Sequence, residues 1–109
     1  MIAHIQGKLV EKNPTDVVID CNGVGYQIHV SLHTYSLLPN TEYIKVYTYL
    51  QIKEDAHTLF GFAEKSEREI FKMLLSVSGI GASIARTMLS SLEPKQIIQA
   101  LASGDVGTI

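Results

Sequence analysis

Tyr43-Ile44-Lys45-Val46-Tyr47-Thr48-Tyr49-Leu50-Gln51-Ile52 alternates in period two without a Gly or Pro to interrupt it. Ile44, Val46, Thr48, Leu50 and Ile52 share one face, and Tyr43, Lys45, Tyr47, Tyr49 and Gln51 share the other. That is the pattern of a strand with one side turned to a core. Upstream, Tyr26-Gln27-Ile28-His29-Val30 alternates in the same way, with Tyr26, Ile28 and Val30 together. β-Branched and aromatic residues dominate both runs, as pleated surfaces prefer. Turn-forming clusters separate them: Lys12-Asn13-Pro14-Thr15-Asp16, Asn22-Gly23-Val24-Gly25 and Leu38-Pro39-Asn40-Thr41. Further apolar runs at about 2–11, 16–21 and 57–62 bring the expected strands to five. Gly7, inside the first, suggests a bulge or sharp bend that lets one strand serve both halves of a closed sheet. Five strands in about 63 residues fit a Greek-key barrel of the OB type better than a two-sheet sandwich.

After Ala63 the period lengthens. Ser66-Glu67-Arg68-Glu69 reads as a capping box, followed by Ile70, Phe71, Leu74 and Leu75 at helical spacing. A second helix is expected after Ser83, with Ile84, Ala85, Met88 and Leu89 as its stripe. Pro94 suits the first turn of a third helix with Ile97, Ile98 and Leu101 inward and Gly104 as its stop. The expected class is β + α in two small domains, an OB-fold barrel at 1–63 and a helical domain at 64–109.

Composition sets limits on function. Hydrophobic residues make up 46% of the 109, enough for a core. The formal charge of −2 argues against a strongly basic nucleic-acid binder. Residues 1–63 hold four Lys against six Asp/Glu, and 64–109 hold five Lys/Arg against five. Any nucleic-acid contact must therefore come from locally placed groups, backbone N–H donors included. Cys21, the only cysteine, excludes an internal disulfide, fits a reducing compartment and reads as a small strand residue rather than a nucleophile. The N-terminus lacks the apolar core of a secretory signal, and no apolar run approaches the ~20 residues of a membrane span. A soluble, cytoplasmic protein with no membrane partner is expected.

Between the first two expected helices lies Leu75-Ser76-Val77-Ser78-Gly79-Ile80-Gly81-Ala82-Ser83-Ile84-Ala85, which matches a helix-hairpin-helix pattern. The two glycines permit a tight turn and close backbone approach, and Ile80 can plug between the helices. The N–H groups of Gly81, Ala82 and Ser83 would then face outward at a helix start. There, unpaired donors and the helix dipole both favour a phosphate. Gly79, Ile80, Gly81, Ala82 and Ser83 are thus the candidate phosphate-binding turn, reading backbone rather than bases. The competing reading is that Gly-Ile-Gly only ends one helix and begins the next.

Several stretches, in order and spacing, resemble the RuvA family: the Met1-Ile2 opening with Ile5 and Gly7, Gly23-Val24-Gly25-Tyr26, Lys53-Glu54-Asp55-Ala56, Leu59-Phe60-Gly61-Phe62 and Val77-Ser78-Gly79-Ile80-Gly81. Each alone is weak; together they span nearly the whole chain and are specific. The resemblance implies an OB-fold barrel, a domain of two helix-hairpin-helix motifs and a mobile C-terminal domain that engages the ATP-driven motor RuvB. It implies a homotetramer holding an open four-way (Holliday) DNA junction for branch migration in recombination and DNA repair, with the RuvC resolvase as a further partner. An acidic pin projects at the junction centre in that family, and the matching positions are Glu54 and Asp55. Their repulsion of phosphates within a Debye length of ~8 Å would help part strands. Without the resemblance, the pair reads as a solvated hairpin tip. Lys53 and Arg86 are candidate phosphate-contacting side chains or, equally, solvated charges. Related sequences often carry Lys where Ser83 stands, so this hairpin must lean on its backbone donors. The resemblance places the second hairpin and the motor-binding domain beyond Ile109, so weaker DNA binding and no motor recruitment are expected of this chain.

No catalytic set is visible. There is no G-x-x-x-x-G-K-[ST] phosphate loop, and His4, His29, His33 and His57 lack metal-like spacing, so neither enzyme activity nor a cofactor or metal is expected. His29 reads as merely exposed. Two other functions fit the same pattern. One is a general OB-fold single-strand binder, stacking bases on Tyr43, Tyr47 and Tyr49. The other is a protein-interaction module without nucleic acid, which the negative charge favours.

Overall fold

The alternating run forms β4 (Tyr43–Lys53), the longest strand of a computed structural model that describes residues 2–39, 41–77, 79–92 and 94–103. The other elements are β1 (His4–Lys12), β2 (Asp16–Cys21), β3 (Val24–Val30), α1 (Leu32–Leu37), β5 (Ala56–Phe62), α2 (Lys65–Leu75), α3 (Ala82–Ser91) and α4 (Pro94–Ser103). The strands close into a barrel in the order β1-β2-β3-β5-β4, consistent with the OB type. β1 serves two neighbours, as expected: His4–Lys8 pair with β4, and Lys8–Lys12 pair with β2. The irregularity that permits this lies between Leu9 and Glu11 and not at Gly7. Gly7 is instead a point of close approach, since a Cβ there would sit 2.5 Å from the Asp20 carbonyl oxygen. Parallel pairing of Ile28-His29-Val30 with Leu59-Phe60-Gly61 closes the barrel.

The inward residues follow the alternation. Ile5, Val17, Ile19, Ile28, Val30, Ile44 and Val46 form the barrel core, with Leu38 beneath them. Thr48 is buried too, its hydroxyl donating to the Ile2 carbonyl at 2.6 Å. Towards its C-terminal end β4 leaves the core, and Ile52 is 65% exposed.

A second core lies outside the barrel. Phe60 and Phe62, on the outer face of β5, pack with Ile70, Phe71 and Leu74 of α2, with Ala85, Met88 and Leu89 of α3, and with Ile97 of α4. Ring centroids of Phe60 and Phe62 lie 5.2 and 5.0 Å from that of Phe71. The helices are thus docked on the sheet formed by β3, β5 and β4.

Three helical expectations need correction. Ser66 does not cap α2, which starts at Lys65 with Glu64 as a cap residue whose side chain makes no capping bond. Glu67 turns inward, where the Ser31 hydroxyl donates to it at 2.6 Å and the Thr34 hydroxyl donates to its other oxygen. Burial outcompetes the local cap. On α3, Ile84 is 52% exposed and Ala82 takes its place, because 82, 85 and 89 share one face and 84 lies about 200° round from 82. On α4, Ile97 is buried but Ile98 is 48% exposed, while the side chain of Leu101 and the whole of Gly104 lie outside what is described. Finally, α1 was not expected. Ser31 caps it by accepting from the Thr34 N–H at 3.1 Å.

Candidate nucleic-acid interface

The sheet face beneath the helices carries cross-strand rows. His29 of β3 stands beside Phe60 of β5, which faces Tyr49 of β4; Thr58 faces Gln51, and Ala56 faces Lys53. α2 and α3 cover the aromatic part of these rows. At the uncovered end a cleft of about 210 Å³ opens between sheet and α3, lined by His29, Gln51, Lys53, Thr58, Phe60, Ser83 and Arg86. Three candidates separated by some thirty positions in sequence thus converge.

α3 meets this cleft with its N-terminal end. Gly79 turns the chain at φ +88°, a value that side chains disfavour. Ile80 is half-buried against the helical core, which gives the turn its anchor. Gly81 is the cap residue of α3, extended at φ −92° and ψ 177°, and no side chain accepts from the first turn. A Cβ at Gly79 or Gly81 would meet nothing within 4 Å, so the chain leaves the space before the turn open. Not every N–H in the turn is a free donor: that of Ile80 is spent on the Val77 carbonyl at 3.2 Å. Ala82 is buried and Ser83 exposed, and Ser83 lines the cleft.

Arg86 stands one turn after Ser83 and is half-buried. Its Nη1 donates to the Thr15 carbonyl at 3.4 Å and contacts His29 Nδ1 at 3.3 Å. No carboxylate among the described residues forms an ion pair with Arg86 or Lys53. Asp16, opposite His29 on β2, faces it through charge alone and takes its hydrogen bond from the Gln27 amide at 2.7 Å. That bond, chiefly, holds its carboxyl below the usual range. Lys53 pairs with Ala56 across a two-residue turn, so Glu54 and Asp55 form the tip of the β4–β5 hairpin, exposed and outside the lining of the cleft.

His29 was read as merely exposed. It is half-buried, its ring 5.9 Å from that of Phe60, and it touches Arg86. Gln51 and Thr58 also join the cleft without any signal in the sequence beyond their outward parity. The tyrosine face does not present a free platform: Tyr49 packs edge-on to Phe71 at 5.6 Å, and Arg68 lies 5.7 Å over Tyr47. Only Tyr43 of the three is widely exposed, at 67%. His33 lies 3.8 Å from Glu64, and no metal-binding cluster of His, Cys, Asp or Glu occurs among the described residues.

A family model described as the RuvA N terminal domain matches residues 1–61. The chain belongs to the RuvA family. Among its relatives is the Holliday junction branch migration complex subunit RuvA of Flavobacterium psychrophilum, 76% identical over the whole of this chain and 56% of its own length. The protein of the same name from Christiangramia forsetii is 65% identical over the same shares. That of Neisseria meningitidis is 51% identical over 97% of this chain and 55% of the relative. This RuvA-family chain thus spans about half the length of the curated relatives it matches. No helix among its described residues is long and apolar enough to cross a membrane.

Proposed function

We propose that this chain binds four-way DNA junctions through their phosphates, as a non-catalytic subunit of a branch-migration complex in recombination and repair. The observation that carries this reading is the convergence of Lys53, Ser83 and Arg86 on one cleft beside the start of α3. In a chain of net charge −2, two cations with no carboxylate partner among the described residues give a local positive site. The α2–turn–α3 unit acts as the first helix-hairpin-helix of a helical domain at 64–109, placed on the OB barrel of 1–63. Gly79, Gly81, Ala82 and Ser83 shape the phosphate-facing turn, with the open space before the glycines as its support. Ile80 serves as its anchor. Glu54 and Asp55 act as the pin that repels strands at the junction centre, supported by their place at a solvent-exposed hairpin tip. In the full-length protein we assign ATP hydrolysis to the motor RuvB and place RuvC and a homotetramer in the same cytoplasmic assembly. The names of the relatives, branch migration complex subunits, support the motor partnership.

The test is a gel-shift competition of an immobile four-way junction against linear duplex and single strand at two salt concentrations. Junction preference that weakens with salt is expected, because phosphate contacts release counterions with a slope of about −0.9 per contact. Preference for single strands would favour base stacking instead, and salt-independent or absent binding would favour a protein-interaction module.

A further inference from the structure

We infer that His29, a barrel residue, positions Arg86 of α3 so that its guanidinium meets a DNA phosphodiester in the cleft, making sheet and hairpin one anion site. This rests on the DNA-binding reading above and adds a residue that its sequence motif does not contain. Arg86 extends from the fifth residue of α3, too far along to be held by the turn itself. What fixes it is the barrel, through Thr15 and His29, and both contacts use Nη1. For His29 Nδ1 to accept from a guanidinium, its ring proton must sit on Nε2, which leaves the imidazole neutral. Arg86 is therefore oriented by two uncharged acceptors, and its charge is not cancelled. An arginine neutralised by a carboxylate would have little charge left to offer, as with Arg68, whose Nη2 lies 3.4 Å from Glu69.

Other features of the cleft suit an oxyanion. The Ser83 hydroxyl and the Gln51 amide are donors, and Lys53 supplies a second cation at the rim. Of the two rings in the lining, Phe60 is only 5% exposed and His29 is half-buried, its ring 5.9 Å from that of Phe60, so the cleft is not an open stacking platform. A cleft of about 210 Å³ has room for a phosphate group. Orientation matters because a planar guanidinium binds phosphate best through two parallel N–H donors, and an unanchored side chain loses rotamer freedom on binding.

The test measures the dissociation constant of the 109-residue chain for a four-way junction and for a linear duplex, across about 50–200 mM salt. Inorganic phosphate is a third probe, followed by the NMR shifts of Ser83 and Arg86. Arg86→Ala is expected to flatten the salt slope by about one unit on both DNAs. His29→Ala should weaken binding several-fold, add little to Arg86→Ala in the double variant, and be rescued by His29→Asn, whose amide oxygen can accept in place of Nδ1. Thermal melts guard against misfolding, and the rescue separates positioning from the ring contact with Phe60. Additive effects of the two alanine variants, or an unchanged slope in Arg86→Ala, would overturn the inference. So would phosphate shifts at Ser83 and Arg86 with DNA binding indifferent to both residues, since the site would then serve the free ion. Arg86-dependent binding without junction preference would instead sink the junction reading and leave this inference standing. Binding of neither DNA overturns both.

Discussion

Glu67 is the one ionisable side chain fully removed from solvent among the described residues. Desolvation raises its carboxyl above the ordinary 4.5, against the lowering effect of the Ser31 and Thr34 hydroxyls and of His33. The folded protein therefore keeps this proton to a higher pH than the unfolded chain does. The stability it contributes is full below about pH 4.5 and is lost as pH rises through the folded value. Glu67→Gln, which has no proton to lose, is expected to remove that decline. Urea unfolding at a series of pH values checks this, and parallel curves for the two proteins would refute it. Glu67→Ala should cost about 1–3 kcal/mol at acid pH, where that contribution is full, by stranding the two hydroxyls. Ser83 gives a residue-scale prediction about binding. It lines the cleft with only a hydroxyl to offer. Ser83→Lys should tighten junction binding several-fold at low salt and steepen the salt slope by about 0.9, read from the same gel shifts.

At the scale of elements, the β4–β5 hairpin carries a prediction that separates stability from function. Glu54 and Asp55 are exposed and enter no side-chain hydrogen bond or ion pair among the described residues, so Glu54→Gln with Asp55→Asn should shift stability by less than about 0.5 kcal/mol. Junction affinity should nevertheless rise, most at low salt, because two repelling charges are gone. Equal affinity at all salt concentrations would show that the tip never meets DNA. The strands themselves were legible because each buries alternate residues: β2 was expected and found at 16–21, and β4 ends one residue beyond its expected limit. α1 was not legible. Its six residues are too few to display a helical period, and what fixes it is the Ser31 cap together with the distant Glu67. The Ser66 box failed for the same reason, since a local pattern cannot report that Glu67 has a buried partner 36 residues away. At the candidate site, residue type alone could name Lys53, Ser83 and Arg86 as candidates and no more. Their cleft was not, because it depends on the parallel β3–β5 pairing that brings His29 beside Phe60 under α3.

At the scale of the molecule, the barrel and the helices read as two units along the chain, yet they share structure at several places besides the Arg86 contact. Phe60 and Phe62 of the barrel belong to the helical core. Glu67 of α2 closes onto Ser31 and Thr34, and Ser90 of α3 accepts from the Leu32 N–H at 3.0 Å. Phe71 sits at the centre, fully buried and in ring contact with Tyr49, Phe60 and Phe62. Four helices of six to eleven residues have little stability of their own, because helices that short are marginal in water. α2, α3 and α4 persist by covering the outer sheet face, and that face stays dry because they cover it. Melting should therefore be a single cooperative transition, with far-UV circular dichroism and tyrosine fluorescence moving together. Phe71→Ala should cost about 3–5 kcal/mol, the usual range for a buried phenylalanine. The loss should fall on helices and barrel together. A variant that lost its helical signal while the barrel melted at the wild-type temperature would show that the sheet does not need its cover. It would also mean that the cleft, which exists only while α3 lies on β5, can open independently of the barrel beneath it.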